Sequence, residues 1–380
     1  MGNRNYNVGS DLAVFFSPED TILTPKAPIA GDGFRALSAT IGRPTNIVPL
    51  TDHRGSRSRY ERIALRKPVI PWTVNCLLRP SGTAGTAPDI GNLFKHLFGT
   101  ETTTGADVTY SFLEDPTSLS ATIYVGRSET QEGVYGAVVN KATVSWGDGL
   151  AKVTFSGEGT DYINGGRTLA TISTTTTTLT VVDGSQFSAY AIVQIGDDDN
   201  SGAGFRIEAV SGNVLTLSVA TSVASSAIVK AFLPDPTYVG DPLGDTAGSL
   251  SLDAGSTSIV HLPSTLDISN GVTLMTQEAL QSKASDVLAT AIRDVTPNFS
   301  FLVTRQNNNL VNDMRDKTEY DMLLTVGDTA GKRFKADAPK LELDVGDQDS
   351  PEEGVEKWSA TGPALASATS GGDEITLVFD

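Results

Sequence analysis

The sequence predicts a mainly β protein: two repeated sandwich- or barrel-forming β modules, each with a flanking α-helix, and a small all-β domain inserted between them. Three observations carry this. Glycine (37), threonine and serine are abundant while tryptophan (3) and methionine (4) are scarce, a mix that suits short strands and many turns. Short apolar runs recur between Gly, Pro, Asn and Asp signals along most of the chain. One order of elements also occurs twice, as set out below. At 380 residues the chain exceeds one ordinary core, so two or three domains are expected.

Charge narrows the function classes. A formal net charge of −17 argues against a nucleic-acid binder held by phosphate contacts, but not against a surface that DNA passes without sticking. A single cysteine, Cys76, excludes an internal disulfide. No apolar run reaches transmembrane length, and MGNRNYNVGS lacks the basic-then-apolar plan of a secretion signal. The expectation is a protein that begins in a cytoplasm without membrane insertion.

Residues 1–33 hold one apolar patch, Leu12 to Phe16, and read as an arm with a single strand or as a poorly ordered terminus. The first module, 34–166, opens with two apolar segments around a basic loop. Arg54, Arg57, Arg59 and Arg62, with His53, Arg66 and Lys67, face only Asp52 and Glu61 there. That excess reads as a loop docking on an acidic surface of another subunit, or as a solvated loop.

Trp72 to Leu78 alternates as a strand, and Arg79-Pro80-Ser81-Gly82 stops it. Pro88-Asp89 then predicts a helix start, with Asp complementing the dipole. Ile90, Leu93, Phe94, Leu97 and Phe98 form one apolar stripe, a helix-packing face, and Gly99 ends the helix. Strands follow at 120–125, 134–145 and, after Trp146-Gly-Asp-Gly, 150–156.

Residues 167–233 begin with a threonine-rich stretch and carry little charge outside Asp197-Asp198-Asp199. Strands are predicted at 178–182, 190–196, 204–210, 213–218 and 227–232, a small barrel or sandwich. Its flanks, Asn164-Gly165-Gly166 and Pro234-Asp235-Pro236, bound an inserted domain at 167–235 whose removal is expected to leave the rest folded.

In the second module, 236–380, short strands are read at 250–252, 258–261 and 266–269. Helical spacing is read within 276–292 (Leu280, Ala284, Val287, Leu288, Ala291), and a strand from Phe299. The repeat pairs strand 72–78 with 298–304, helix 88–98 with 309–318, and 120–125 with 321–326. It also pairs 134–145 with 334–345 and 150–156 with 355–360.

No residue set points to catalysis, a cofactor or a metal. His53, His96 and His261 stand in unlike contexts, and His96 reads as a boundary side chain of the helix. Zinc spacing, a phosphate loop and a nucleophile elbow are all missing. Asp197-Asp198-Asp199-Asn200 reads as a polar turn rather than a calcium loop. The acidic run from Glu342 to Glu356 lacks a paired nucleophile and reads as a solvated or lumen-facing edge.

RPSGTAGTAPDIGNLFKHLFG, followed by NKATVSWGDGLAKVTFSGEGTDY, resembles the major tail tube proteins of long, non-contractile-tailed (siphovirus-type) bacteriophages. The strand–loop–helix, the long hairpin and the Phe155-Ser156-Gly157-Glu158-Gly159 strand end carry the likeness. The second module is similar through Gly240-Asp241-Pro242-Leu243, Gly248 to Asp253 and Asp373 to Phe379.

The resemblance implies a non-enzymatic structural subunit in the virion tail, assembled in the host bacterial cytoplasm. Two modules per chain imply trimeric, pseudo-hexameric rings stacked into a channel for genome ejection. The implied partners are further copies, tape measure, tail terminator and distal tail proteins, and viral double-stranded DNA in transit past an acidic lumen. The helix would cover the outer face, the basic loop would join rings, and no cofactor is implied. The alternative is another virion or cell-surface β protein whose inserted domain binds host surface glycans.

Overall fold

The computed structural model describes residues 12–45, 47–49, 62–64, 68–114, 119–147, 149–171, 174–244, 248–252, 257–259, 263–276, 284–302, 316, 318–349, 354–368 and 371–380. It is mainly β. In chain order the first part holds β1 (Leu12–Pro18), β2 (Gly33–Phe34), β3 (Ala36–Ile41), β4 (Ile47–Pro49), β5 (Arg62–Ala64) and β6 (Ile70–Leu77). The helix α1 (Gly91–Phe98) precedes β7 (Gly99–Thr104), β8 (Asp107–Phe112), β9 (Ala121–Arg127), β10 (Thr130–Trp146), β11 (Lys152–Gly159) and β12 (Asp161–Gly165).

The inserted segment holds β13 (Arg167–Leu169), β14 (Thr174–Thr180), β15 (Ile192–Ile195), β16 (Phe205–Ser211), β17 (Val214–Val223) and β18 (Ile228–Ala231). After it come β19 (Gly248–Leu252), β20 (Thr257–Ile259), β21 (Ser264–Ser269), β22 (Val272–Thr276), β23 (Ala284–Ala289) and β24 (Asp294–Leu302). The chain continues with β25 (Glu319–Val326), β26 (Phe334–Glu342), β27 (Asp344–Asp349), β28 (Lys357–Thr361) and β29 (Thr376–Phe379).

The sheet order repeats. In the first part, β2-β1-β9-β10-β12 form one run, while β3-β6-β11 join the far half of β10. In the second, β20-β19-β25-β26-β29 and β21-β24-β28-β27 follow the same order. Strand β10 serves both of its runs because it bends at Gly136 (φ 59°), where its register with β9 shifts. Its counterpart is broken at Leu343 into β26 and β27. The hairpin β4–β5 interrupts the first repeat where β22–β23 interrupts the second.

The two repeats share their sheets. Strands β10 and β21 pair from Lys141↔Ser269 to Trp146↔Ser264, which fuses two four-stranded runs. The hairpin β7–β8 adds to the other repeat's sheet through β8–β29. One hydrophobic core therefore takes Trp72, Val74 and Phe155 together with Phe299, Phe334, Leu377 and Phe379.

Several expectations change here. The described part of 1–33 is no free arm: β1 pairs along its whole length with β9, and Val14, Phe15 and Phe16 are buried. Helix α1 begins at Gly91 rather than Pro88, because 88–90 form a preceding turn (Gly91 N–H to Pro88 O, 2.9 Å). It packs on the core face of the long sheet, opposite the polar face, and is itself covered by a second sheet. Phe94 packs on Phe155 of the long sheet and on Tyr110 and Phe379 of the seven-stranded one, so the helix is wedged between them. The five stripe residues are all buried. Gly99 does end the helix, in the left-handed region at φ 93°.

The helical spacing in 276–292 gives no helix over its described part. Residues 284–289 form β23, because Val287 buries with Leu274 and Val138, and tertiary pairing overrides weak helical periodicity. The proposed helix at 309–318 lies outside the described residues apart from 316 and 318.

The inserted segment forms its own sheet, β13-β18-β15-β16-β17-β14. Its core nevertheless includes Phe15, Tyr124, Tyr135 and Ile163 from the body. Strand β1 is thus apolar on both faces: Val14 and Phe16 point to the main core and Phe15 to the insert.

Candidate functional site: a polar sheet face with two open edges

The fused run β3-β6-β11-β10-β21-β24-β28-β27 has one face in the core. Strand alternation sends the other residues outward. That outer face is built from hydroxyls and amides linked across strands. Asn75 Nδ2 donates to Ser38 Oγ (2.7 Å), and Thr154 Oγ1 donates to Asn75 Oδ1 (2.7 Å). Across the β10–β21 junction, Thr143 Oγ1 donates to Asp267 Oδ1 (2.6 Å), and Lys141 Nζ lies 2.9 Å from the same oxygen.

The described charges on this face are Lys141, Lys152 and Lys357 against Glu158, Asp267, Asp294 and Asp344, an excess of one acid. A shallow groove of about 550 Å³ crosses the junction, lined by Ser145, Lys152, Thr265, Asn298 and Ser359 among others, with no carboxylate.

The strand edges of the two large sheets are unequally protected. Strand β29 is covered by β8, and β12 is tied to the insert by Ser188 N–H to Asn164 O (2.9 Å). Among the described residues, β3 pairs only with β6 and β27 only with β28. On β3, the Ala39 carbonyl also accepts Arg127 Nη2 at 3.1 Å. Unpaired edges of this kind are templates for a further strand.

The expected docking arginines fall mostly outside this picture. Arg54, Arg57 and Arg59 lie outside the described residues, and Arg62 is described only as backbone in β5. The packing residues Ile90, Leu93, Phe94, Leu97 and Phe98 converge in the core and reach no surface.

His96 is buried rather than peripheral. Its Nδ1 faces Asn92 O at 2.7 Å and its Nε2 Ser120 O at 3.3 Å, with its ring edge-on to Phe16. Burial pushes the imidazole down from 6.5 to about 4. His53 and His261 lie outside the described residues. The Asp197–Asn200 stretch folds as a turn. Asp198 Oδ1 accepts Asn200 N–H and Asp199 Oδ1 accepts Gly202 N–H, both at 3.0 Å. Among the described residues no three His, Cys, Asp or Glu side chains gather as metal ligands, and no helix is long and apolar enough to cross a membrane.

Two organising residues escaped the sequence reading. Buried Asn270 donates to Leu97 O (3.0 Å) and Val139 O (2.8 Å) and accepts Val272 N–H (3.0 Å), joining the helix end of one repeat to the hairpin of the other. Its Asn270-Gly271 turn signal was available. Glu19 accepts from Ser120 Oγ, Thr122 Oγ1 and Gly136 N–H, and its position in an apparent arm concealed it. No protein-family model matches the chain, and no curated protein sequence matches it.

Proposed function

We propose that this chain is a structural tube subunit that self-assembles into stacked rings around a channel, as its resemblance to tail tube proteins implies. The observation that carries this reading is the β10–β21 junction. By the repeated sheet order, β27 is the counterpart of the end of β10, and β3 is the counterpart of β21. Two repeats meet inside one chain through the two strand types left open at its ends. Pairing β27 of one copy with β3 of the next repeats that junction and removes the open edges by closure. With two repeats per chain, three chains give a pseudo-sixfold ring.

The hydroxyl-rich face, with one more described acid than lysine, then lines the channel. It offers DNA phosphates no dense positive charge to hold them. In this reading the tube belongs to a virion tail, assembles in the bacterial cytoplasm, and meets tape measure, terminator and distal tail proteins. The loop holding Arg54, Arg57, Arg59 and Arg62 contacts the adjacent ring.

Electron microscopy of the purified protein after long incubation tests the assembly, and persistent monomers would refute it. Cysteines at Thr40 and Gln348, in a Cys76→Ser background, should cross-link copies into discrete multimers on oxidation. Charge reversal at Arg57 and Arg59 should leave rings but block stacking, and normal tubes from that variant would remove the docking role.

A further inference from the structure

We propose that the hairpin β4–β5 of one copy docks on the β26–β27 corner of the next copy in the ring, with Arg62 meeting Glu342 and Asp294. This rests on the ring reading above and adds a second contact to the β27–β3 junction.

The two repeats keep one register through this stretch. Ile41↔Trp72 corresponds to Leu266↔Pro297, Ile47↔Ala64 to Val272↔Ala289, and Pro49↔Arg62 to Leu274↔Val287, with equal spacing throughout. Each hairpin therefore follows its edge strand at the same distance, β4 after β3 and β22 after β21.

Within one chain the second hairpin is already seated. Strand β21 pairs with β10, and β22 then lies against β10 and β11. Val272, Leu274 and Val287 bury there with Val138, and Val69 packs beside them. The first hairpin leaves Ile47, the counterpart of Val272, 49% exposed, against 3% for Val272. When β3 pairs with β27 of the next copy, the same geometry lays β4 over that copy's β27 and β28.

The seat on that copy follows from register. Val138 pairs with Glu158, and a Cβ on Gly157 would strike the Val138 carbonyl. Glu342 N–H donates to Pro363 O (3.4 Å), and a Cβ on Gly362 would strike the Glu342 carbonyl. Glu342 thus stands where Val138 stands. Asp294 stands where Val69 does, three residues before Pro297 as Val69 is before Trp72.

Three positions therefore change together: Arg62 for Val287, Glu342 for Val138 and Asp294 for Val69. An apolar seat inside the chain becomes an ionic one between chains, with a cation above two acids. Glu342 also lies opposite Glu319 across β25–β26, and Lys340 Nζ sits on Glu319 at 2.7 Å, so this corner keeps an acidic excess among the described residues. The change has a physical reason. A seat exposed until assembly would be an aggregation surface if it were apolar. Arg62 anchors the hairpin within its own ring, and Arg54, Arg57 and Arg59 remain for the adjacent ring.

Sedimentation and electron microscopy of the full chain test the contact. Arg62→Glu sets like charges against each other and should lower the ring population about tenfold or more. That loss is of rings, whereas charge reversal at Arg57 and Arg59 leaves rings and blocks their stacking. Adding Glu342→Arg to Arg62→Glu should recover rings, a rescue that a folding defect would not give. Normal rings from Arg62→Glu, or no recovery in the double variant, would overturn the docking and leave the strand pairing standing. A parent chain that stays monomeric would overturn both.

Discussion

Phe94, on the helix of the first repeat, meets Phe379, on the last strand of the second, with ring centroids 5.6 Å apart. Both rings are buried, and Phe94 also packs edge-on against Phe155 at 4.9 Å. The repeats therefore share one core and should unfold as one unit. Phe94→Ala should cost about 3–5 kcal/mol. Denaturant unfolding followed by tryptophan fluorescence should show one transition at lower midpoint for the variant. A second transition assignable to one repeat would contradict the shared core.

His96 sets a pH dependence. Its folded pKa is depressed to about 4 while the unfolded chain titrates near 6.5, so the unfolded state binds the extra proton between those values. Its contribution is complete above pH 6.5 and is lost as pH falls towards 4, on the order of 3 kcal/mol. Glu19, Asp32 and Asp89, raised by burial, work in the opposite direction, with stability lost as pH rises. Comparing unfolding free energies across that window, His96→Gln should show a shallower acid loss than the parent chain. Equal slopes would remove His96 from the account.

Glu19 holds the bend of β10. Its carboxylate takes Ser120 Oγ at 2.6 Å, Thr122 Oγ1 at 2.7 Å and the Gly136 N–H at 2.9 Å. Glu19→Ala leaves three donors without their acceptor and should destabilise by about 2–3 kcal/mol. Glu19→Gln keeps an acceptor, and Ser120 can turn its hydroxyl to receive the amide, so a loss within about 1 kcal/mol is expected. Chemical denaturation at neutral pH separates the two, and equal losses would show that geometry rather than acceptance is the need.

Gly157 lies where a Cβ would collide with the Val138 carbonyl and stand 2.7 Å from Trp72 Cζ2. It pairs opposite Val139, at the shift of register between β10 and β11. Gly157→Ala should cost about 1–3 kcal/mol through displaced backbone, read as a fall in melting temperature. A neutral substitution would mean the strands can separate there without loss.

Excising 167–233 with a short Gly/Ser bridge should fail to give a soluble body, contrary to the separable insertion expected from composition. The cut uncovers Phe15, Tyr124, Tyr135 and Ile163, all buried against the insert. Size-exclusion chromatography of the deletion should find aggregate. A monodisperse, cooperatively melting body would show that the contact is dispensable.

The element types were legible in the sequence because local pattern decides them. Alternation marked Trp72 to Leu78, and a 3.6-residue stripe with a glycine stop marked α1. Composition and flanking turns marked the insert, and the order of strands marked the repeat. Tertiary structure alone decided which strands pair. The fusion of β10 with β21, the crossing of β8 to β29 and the burial of β1 on both faces join residues more than a hundred positions apart, and local periodicity carries no information about such partners. The same holds for Asn270, whose role comes from backbone groups brought to it by distant chain. The helix stripe could be read from Ile90 to Phe98, but only the tertiary structure showed that two sheets, not one, close on Phe94.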